Sequence, residues 1–364
     1  MAAELRILLL ADSHLGLDLP VRPRVERRRR GHDFLANYAA ALAPGLAGEV
    51  DIVVHGGDIF DRPRVPVGVG YRAFEPLRRI ADRGVPVLVV PGNHERSMLP
   101  HARLASHPRV HVFDRPRTFM VEIRGMRVAL AGFPYERRHV RGTFPELLDR
   151  TGWWRERAAV RLLCMHHCVE GATVGPGDFT FTTAHDVIRA RDLPAGFAAV
   201  LSGHIHRHQV LTADLRGRPL CAPVLYPGSI ERTSYAEAGE PKGYLLVRLS
   251  VGRDSPGSDQ VRWEFRGLPA RPMLRKTVMA EGTTPAQLES AIRALIAAAP
   301  PDAVLSIRVA GAVTAEHLRR LSARQLRTFA PATMNVDVRP ADGFARASRP
   351  PPRGAGVQLE AAFD

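Results

Sequence analysis

Three short apolar runs, Arg6–Ala11, Asp51–Val54 and Val85–Val90, each break off at a loop rich in Asp, His or Asn. The first leads into Asp12-Ser13-His14-Leu15-Gly16. The second leads into His55-Gly56-Gly57-Asp58-Ile59-Phe60-Asp61, and the third into Pro91-Gly92-Asn93-His94-Glu95. Runs this apolar read as strands buried on both faces. Helical patterns separate them, at about 25–43 with Phe34, Leu35, Tyr38 and Leu42 on one face, and at about 67–82 with Tyr71, Phe74, Leu77 and Ile80. Strand, loop and helix alternating in this way predict an α/β layered domain. In such sheets binding groups collect beyond the carboxyl ends of the strands, which is where these polar loops fall.

Downstream the texture changes. Thr118–Arg124 and Met126–Ala131 flank Gly125 as a hairpin, and Phe144–Ala159 reads as helical. Val160–Met165 is a further buried strand ending in His166-His167, followed by a loop at Gly171–Gly177. Ala198–Leu201 ends in Ser202-Gly203-His204-Ile205-His206. Short strands near 208–213, 219–225 and 243–249, a turn at Tyr226-Pro227-Gly228-Ser229, another at Gly252–Gly257 and a strand at Val261–Arg266 suit a second sheet facing the first across a shared core. From about 272 the pattern restarts as strand 273–279, helix 285–298, strand 303–310, helix 314–326 and strand 333–339, a compact βαβαβ unit. The expected division is a catalytic domain at 1–268, an α/β domain at 269–342 and a disordered Pro/Arg-rich tail at 343–364.

Charge bears on the partner. Lys and Arg number 51 against 37 Asp and Glu, so the formal balance is 51 − 37 = +14. That favours a polyanion, nucleic acid being the commonest, although an arginine-biased genome would give the same excess. No apolar run reaches the ~18–20 residues of a membrane span. Leu5–Leu10 lacks a basic leader and reads as a strand rather than a signal peptide. The cysteines Cys164, Cys168 and Cys221 form no disulfide framework, and the expected compartment is the cytoplasm.

The polar residues at the strand ends are Asp12, His14, Asp58, Asn93, His94, His166, His204 and His206. Asp12/His14 and His204/His206 are spaced i, i+2, which puts both side chains on one face of an extended segment. Imidazole and carboxylate without thiolate suit Mn, Fe or Zn. The supply exceeds what one tetrahedral ion takes and fits two metals about 3.5–4 Å apart that share one carboxylate, Asp58. Each motif alone has a plain alternative: a Gly-Asp after a strand is often a helix cap, and Gly-Asn-His a turn. Their succession, each after a buried strand, carries the inference.

In this order Asp-x-His, Gly-Asp, Gly-Asn-His, His and Gly-His-x-His resemble the signature of the calcineurin-like metallophosphoesterases. Within them the chain is similar, over about residues 5–250, to the bacterial SbcD-type DNA repair nucleases, on Asp12–Gly16, Gly57–Asp61, Gly92–Glu95, Gly203–Arg207 and Tyr226–Ser229. The resemblance implies a two-sheet metallophosphoesterase sandwich flanked by helices, with a small C-terminal α/β capping domain that helps hold DNA. It implies that Asp12, His14 and His206 hold one divalent ion, that Asn93, His166 and His204 hold the other, and that Asp58 bridges them. His166 is chosen over His167 because the family's ligand is the first polar residue after that strand. Mn2+ is the expected metal, with Fe2+ or Zn2+ as alternatives. His94 is expected beside the scissile phosphate as a catalytic group.

The implied activity is 3'-5' exonuclease action on DNA in repair, by in-line attack of a hydroxide held between the metals. The alternatives are a phosphoesterase for a small phosphodiester, nucleotide or phosphoprotein, and a non-catalytic scaffold that binds DNA or an ATPase. Expected partners are DNA and an SMC-like ATPase of SbcC type, with no membrane and with a homodimer left open. The short Pro/Arg-rich ending has little helical pattern, a departure that puts the ATPase in question. Arg22, Arg24 and Arg27, within an arginine run to Arg30, are read as substrate contacts or equally as a solvated face. His185 is read as lining a substrate groove, Asp61 as the cap of the following helix, and His55 as a supporting residue. His101, His107, His111, His139 and His208 fit no motif and are read as surface or rim.

Overall fold

The computed structural model describes residues 3–22, 25–95, 106–251 and 260–341. Arg24, His101, the turn at 252–257 and the tail from 343 lie outside the described residues. In chain order the elements are β1 (Ala3–Leu10), α1 (Arg30–Ala47), β2 (Ile52–His55), α2 (Val67–Asp82), β3 (Val87–Val89), β4 (Val110–Val112), β5 (Arg117–Ile123) and β6 (Met126–Gly132). Then come α3 (Val140–Arg150), β7 (Val160–Met165), β8 (Cys168–Val169), β9 (Thr173–Val174), β10 (Phe179–Thr180), β11 (Val187–Ile188), β12 (Ala199–Ser202), β13 (Gln209–Ala213) and β14 (Pro219–Tyr226). The remainder is β15 (Gly243–Val251), β16 (Gln260–Gly267), β17 (Met273–Met279), α4 (Pro285–Ala298), β18 (Val304–Ala310), α5 (Ala315–Arg320), α6 (Ala323–Phe329) and β19 (Asn335–Pro340).

Two six-stranded sheets carry the first part of the chain, in the orders β16-β15-β1-β2-β3-β4 and β13-β14-β12-β7-β6-β5. Strands β1 to β4 run parallel to one another, and so do β6, β7, β12 and β14. The alternation along β1 sets the layers. Leu5, Ile7 and Leu9 join Val128, Leu130, Leu162 and Leu201 in the core between the sheets. Leu8 and Leu10 face the other way, onto Phe34, Tyr38 and Leu42 of α1 and Leu77 and Ile80 of α2. On the far side of the second sheet, Leu163, Met165 and Val200 pack on Phe144, Leu147 and Leu148 of α3. The result is the expected two-sheet sandwich flanked by helices. Cys164 and Cys168 are buried in these cores and Cys221 is exposed.

The chain divides into two compact units, one of residues 1–21, 31–233 and 240–270, the other of 22–30, 234–239 and 271–364. The described part of the second holds a parallel sheet, β17-β18-β19, whose Leu305, Ile307 and Val309 pack on Leu288, Ile292 and Ile296 of α4. It also takes in 22–30 and 234–239, from within the stretch that strand periodicity assigns to a single domain at 1–268. Arg28 N donates to the Ala332 carbonyl at 3.1 Å, and the Arg27 guanidinium donates to the carbonyls of Ala330, at 2.8 Å, and Pro331.

Helix ends depart from the periodicity. α1 begins at Arg30, not near 25, because 25–29 belong to the second unit. The helix expected over 144–159 is α3 at 140–150, after which Gly152 turns the chain with φ +68°. The single helix expected over 314–326 is two, because Ser322 accepts from Gln325 N and caps a new start. Asp61 does not cap α2, which starts after Pro66.

Leu9 is fully buried between the sheets. Leu9→Ala is expected to lower unfolding free energy by about 3 kcal/mol through lost burial and a residual cavity. Urea denaturation checks this, with a lower midpoint and an unchanged m-value.

Candidate metal centre

Because β1, β2, β3, β7 and β12 are parallel within their sheets, their carboxyl ends deliver Asp12, Asp58, Asn93, His166 and His204. Backbone bonds lace the delivering loops together: Asp12 N donates to the Gly57 carbonyl at 2.9 Å, His14 N to Asp58 at 3.0 Å and Gly56 N to Leu10 at 2.8 Å. Asp12, His14, Asp58 and His204 all have positive φ, between +40° and +81°. Side-chain-bearing residues avoid that region, and a cluster of them marks a site over-determined by its surroundings. Two glycines permit the close approach. A methyl group on Gly57 would overlap the His166 ring, and one on Gly92 would overlap the Asp58 carboxylate.

The ligand-capable atoms converge. Asp12, His14 and His206 form one group, His14, Asp58 and His94 a second, and Asp12, Asp58 and His166 a third, with the atoms of each group within 4.8 Å of one another. His14 Nε2 and His206 Nε2 face each other at 3.1 Å. Asn93 Oδ1 lies 3.0 Å from both His166 Nε2 and His204 Nδ1. His166 Nε2 is 3.3 Å from Asp58 Oδ2 and 4.0 Å from Asp12 Oδ1.

These donors fit divalent cations. Asp12 and Asp58 are 0% and 2% exposed, and two carboxylates so buried need positive charge close by. Burial works against ionisation of Asp58, yet the surrounding imidazoles, His166 first and then His14 and His94, together outweigh it and hold its pKa below the usual carboxylate range. Burial raises the pKa of Asp12. Burial also opposes a proton on His166, but Asp58 and Asp12 override it and lift its pKa to about 9. The same lone pair that binds that proton so firmly is available to a cation. His166 Nδ1 donates to the Gly56 carbonyl at 2.7 Å, which fixes the ring with Nε2 toward the carboxylates. Burial, and then the charge of His166, depress the pKa of His204 well below the ordinary imidazole value.

The structure therefore brings Asp12, His14, Asp58, Asn93, His94, His166, His204 and His206 together. His167 turns away: its Nε2 accepts from Glu136 N at 2.9 Å, and its ring stacks on Tyr135 with centroids 4.9 Å apart. His94 Nδ1 donates to the Asp61 carbonyl at 2.8 Å, and its Nε2 sits 4.0 Å from Asp58 Oδ2. His55 is a support, lying 2.8 Å from Ser13 Oγ and accepting from Gly57 N at 3.2 Å.

The remaining sequence-predicted residues are not among the converging groups. His185 is exposed, with its ring against His139. Arg22 is exposed. The Arg27 guanidinium donates to the Ala330 and Pro331 carbonyls, which hold it within its own unit as a strut.

Glu95 is the functional residue that the spacing did not single out. It is 1% exposed. Its Oε1 accepts from Ile59 N at 2.5 Å and Phe60 N at 3.2 Å, and its Oε2 from Gly92 N at 2.9 Å. One carboxylate thus ties the Asp58 loop to the Asn93 loop. Burial, together with the Asp58 charge, pushes its pKa up to about 8 against those amide bonds. Tyr135 carries no sequence signal either, yet its ring centroid is 5.5 Å from that of His204 and 6.0 Å from that of His166.

Comparison with known proteins agrees with this geometry. A model of the family described as Calcineurin-like phosphoesterase matches residues 5–208. The DNA double-strand break repair protein Mre11 of Aeropyrum pernix is 27% identical over 285 residues, covering 74% of this chain and 62% of its own length. The SbcD component of the SbcCD nuclease of Bacillus subtilis is 28% identical over 295 residues, covering 71% of this chain and 72% of its own. The uncharacterized metallophosphoesterase YhaO of the same organism is 24% identical over 265 residues, covering 69% of this chain and 59% of its own. The chain thus spans less than two-thirds of the Aeropyrum protein and of YhaO.

Glu95→Ala strips the acceptor from three buried amides, and each orphaned donor is costly. The expected loss is about 3 kcal/mol or more of stability. Chemical denaturation of the metal-free protein measures it without any contribution from catalysis.

Proposed function

The chain belongs to the calcineurin-like phosphoesterase family, and on that premise we propose that it is a dimetal phosphodiesterase acting on DNA, a 3'-5' exonuclease of DNA repair that works with Mn2+. The observation that carries the reading is the convergence of imidazole and amide donors on two buried carboxylates, Asp12 and Asp58. Asp12, His14 and His206 would hold one ion, Asn93, His166 and His204 the other, and Asp58 would serve both. When bound, such a pair neutralises a phosphodiester anion and acidifies the water that attacks it. The donor set, imidazole and oxygen without thiolate, supports Mn2+.

The chain's own residues orient and move protons. His166 is locked by the Gly56 carbonyl with Nε2 inward. His94 is held through Nδ1 by the Asp61 carbonyl, and its side chain is 40% exposed, so Nε2 can meet a substrate from outside. His94 is therefore the group to give a proton to the leaving oxygen or to steady charge developing there. The positive balance of +14 and the names of two relatives, a DNA double-strand break repair protein and a nuclease component, support DNA over a small phosphodiester. The reading includes an SMC-like ATPase of SbcC type as partner, because one of those relatives is named as one part of a two-part nuclease. Among the described residues, no helix is long and apolar enough to cross a membrane.

Two variants test the roles. Asp58→Asn is expected to lose both ions in elemental analysis. His94→Ala is expected to keep both while DNA hydrolysis falls about 10²–10⁴-fold. Undiminished hydrolysis in both would overturn the mechanism. DNA binding should also weaken about tenfold or more between 50 and 200 mM salt, because phosphate contacts release counterions. Hydrolysis of bis-p-nitrophenyl phosphate or nucleotides in preference to end-labelled DNA would point to the small-substrate reading instead.

A further inference from the structure

Behind the loop that carries His204 and His206 lies a buried ionic chain with no part in the proposed chemistry. The Lys242 side chain is 0% exposed. Its Nζ donates to the His206 carbonyl at 2.9 Å and to Glu240 Oε2 at 2.9 Å. Glu240 Oε1 accepts from Arg207 Nε at 3.1 Å. The other nitrogens of Arg207 reach the tip of the β9–β10 hairpin, with Nη1 on Asp178 Oδ1 at 2.5 Å and Nη2 on the Gly175 carbonyl at 2.5 Å.

An ammonium is unfavourable inside a protein unless it is paired and hydrogen-bonded, and a methionine of similar length would fill the same space without that penalty. What the ammonium adds is a directed bond to one carbonyl. That carbonyl also accepts from Ser229 N at 3.0 Å, so two donors on different segments pin the backbone at His206. The pinned ring has Nε2 3.1 Å from His14 Nε2 and 3.9 Å from Asp12 Oδ1. On the other side of the ring, Nδ1 lies 3.3 Å from Thr233 Oγ1, so the orientation of Nε2 depends on backbone and side-chain contacts together. His204 is fixed differently, through its own N–H, which donates to both oxygens of Asp12 at 3.1 Å.

We infer that Lys242, Glu240 and Arg207 are positioning residues that set the backbone at His206, so that the ion held by Asp12, His14 and His206 depends on them and the ion held by Asn93, His166 and His204 does not. The inference rests on the dimetal reading above. It makes the hairpin tip at Gly175–Asp178 the outer anchor of one metal site.

The test is Mn2+ titration of the metal-stripped full-length protein, followed by calorimetry and electron paramagnetic resonance, which need no turnover. Wild type is expected to show two sites. Lys242→Met is expected to weaken one of them by about 10–100-fold, the usual effect of losing a group that orients a ligand. The other should stay within about threefold. Arg207→Met, one link further out, should weaken the same site by less. Equal weakening of both sites, or no change in either, overturns the inference, because a purely structural lysine has no reason to distinguish them. Should Lys242→Met fail to fold, Arg207→Met decides by the same criterion. A wild-type protein that takes up no second ion would overturn the dimetal reading and this inference with it, whereas two wild-type ions with unselective loss would overturn the inference alone.

Discussion

Two carboxylates buried side by side are the constraint on which the rest of this structure depends. Asp12 and Asp58 are almost wholly out of water, at the ends of adjacent parallel strands in one sheet. Left to themselves they would repel each other and resist ionisation. The opposite sheet answers with imidazoles, since His166 follows β7 and His204 and His206 follow β12. A two-sheet sandwich is therefore more than a way to bury apolar surface here. It brings the anionic ends of one sheet opposite the basic ends of the other. The backbone strain at Asp12, His14, Asp58 and His204 is held by bonds between their loops: Asp12 N to the Gly57 carbonyl, His14 N to the Asp58 carbonyl and His204 N to the Asp12 carboxylate, with Glu95 tying the Asp58 loop to the Asn93 loop.

Much of this was legible in the chain because the fold writes its central strands plainly. β1, β2, β3, β7 and β12 are buried over most of their length and read as largely apolar runs, interrupted by Glu4 and Arg6 in β1 and by Arg161 in β7. Their ends are marked by abrupt polarity, so the ligand candidates fall out of the same reading. Helix boundaries were less legible because they are set by caps and tertiary contacts. Nothing in the periodicity near 25 says that residues 25–29 join the second unit, and nothing near 320 says that Ser322 will cap a new helix.

The supporting residues of the site were illegible for a different reason. Glu95 sits within a recognised motif, yet its partners Ile59 and Phe60 are more than thirty residues away in sequence. A buried carboxylate that gathers amides has no local pattern that separates it from one that gathers metal. The choice between His166 and His167 shows the converse. Adjacent residues after a strand point to opposite faces. Only the Gly56 carbonyl on one side and Glu136 on the other reveal which imidazole turns to the carboxylates.

Arginine illustrates how far charge can be read without geometry. Arg27 was a candidate substrate contact or part of a solvated face, and its guanidinium is bonded to the carbonyls of Ala330 and Pro331. Arg207 follows the last proposed ligand and is bonded to Glu240 and Asp178. The two outcomes differ electrostatically. Carbonyls are neutral, so Arg27 still contributes a full positive charge to the surrounding field while holding its segment in place. Carboxylates neutralise, so Arg207 contributes little beyond its immediate contacts. A count of +14 thus says nothing about which guanidinium touches a ligand. It does bear on the long-range field, because steering of a polyanion depends on uncompensated charge and is indifferent to whether that charge also serves as a strut.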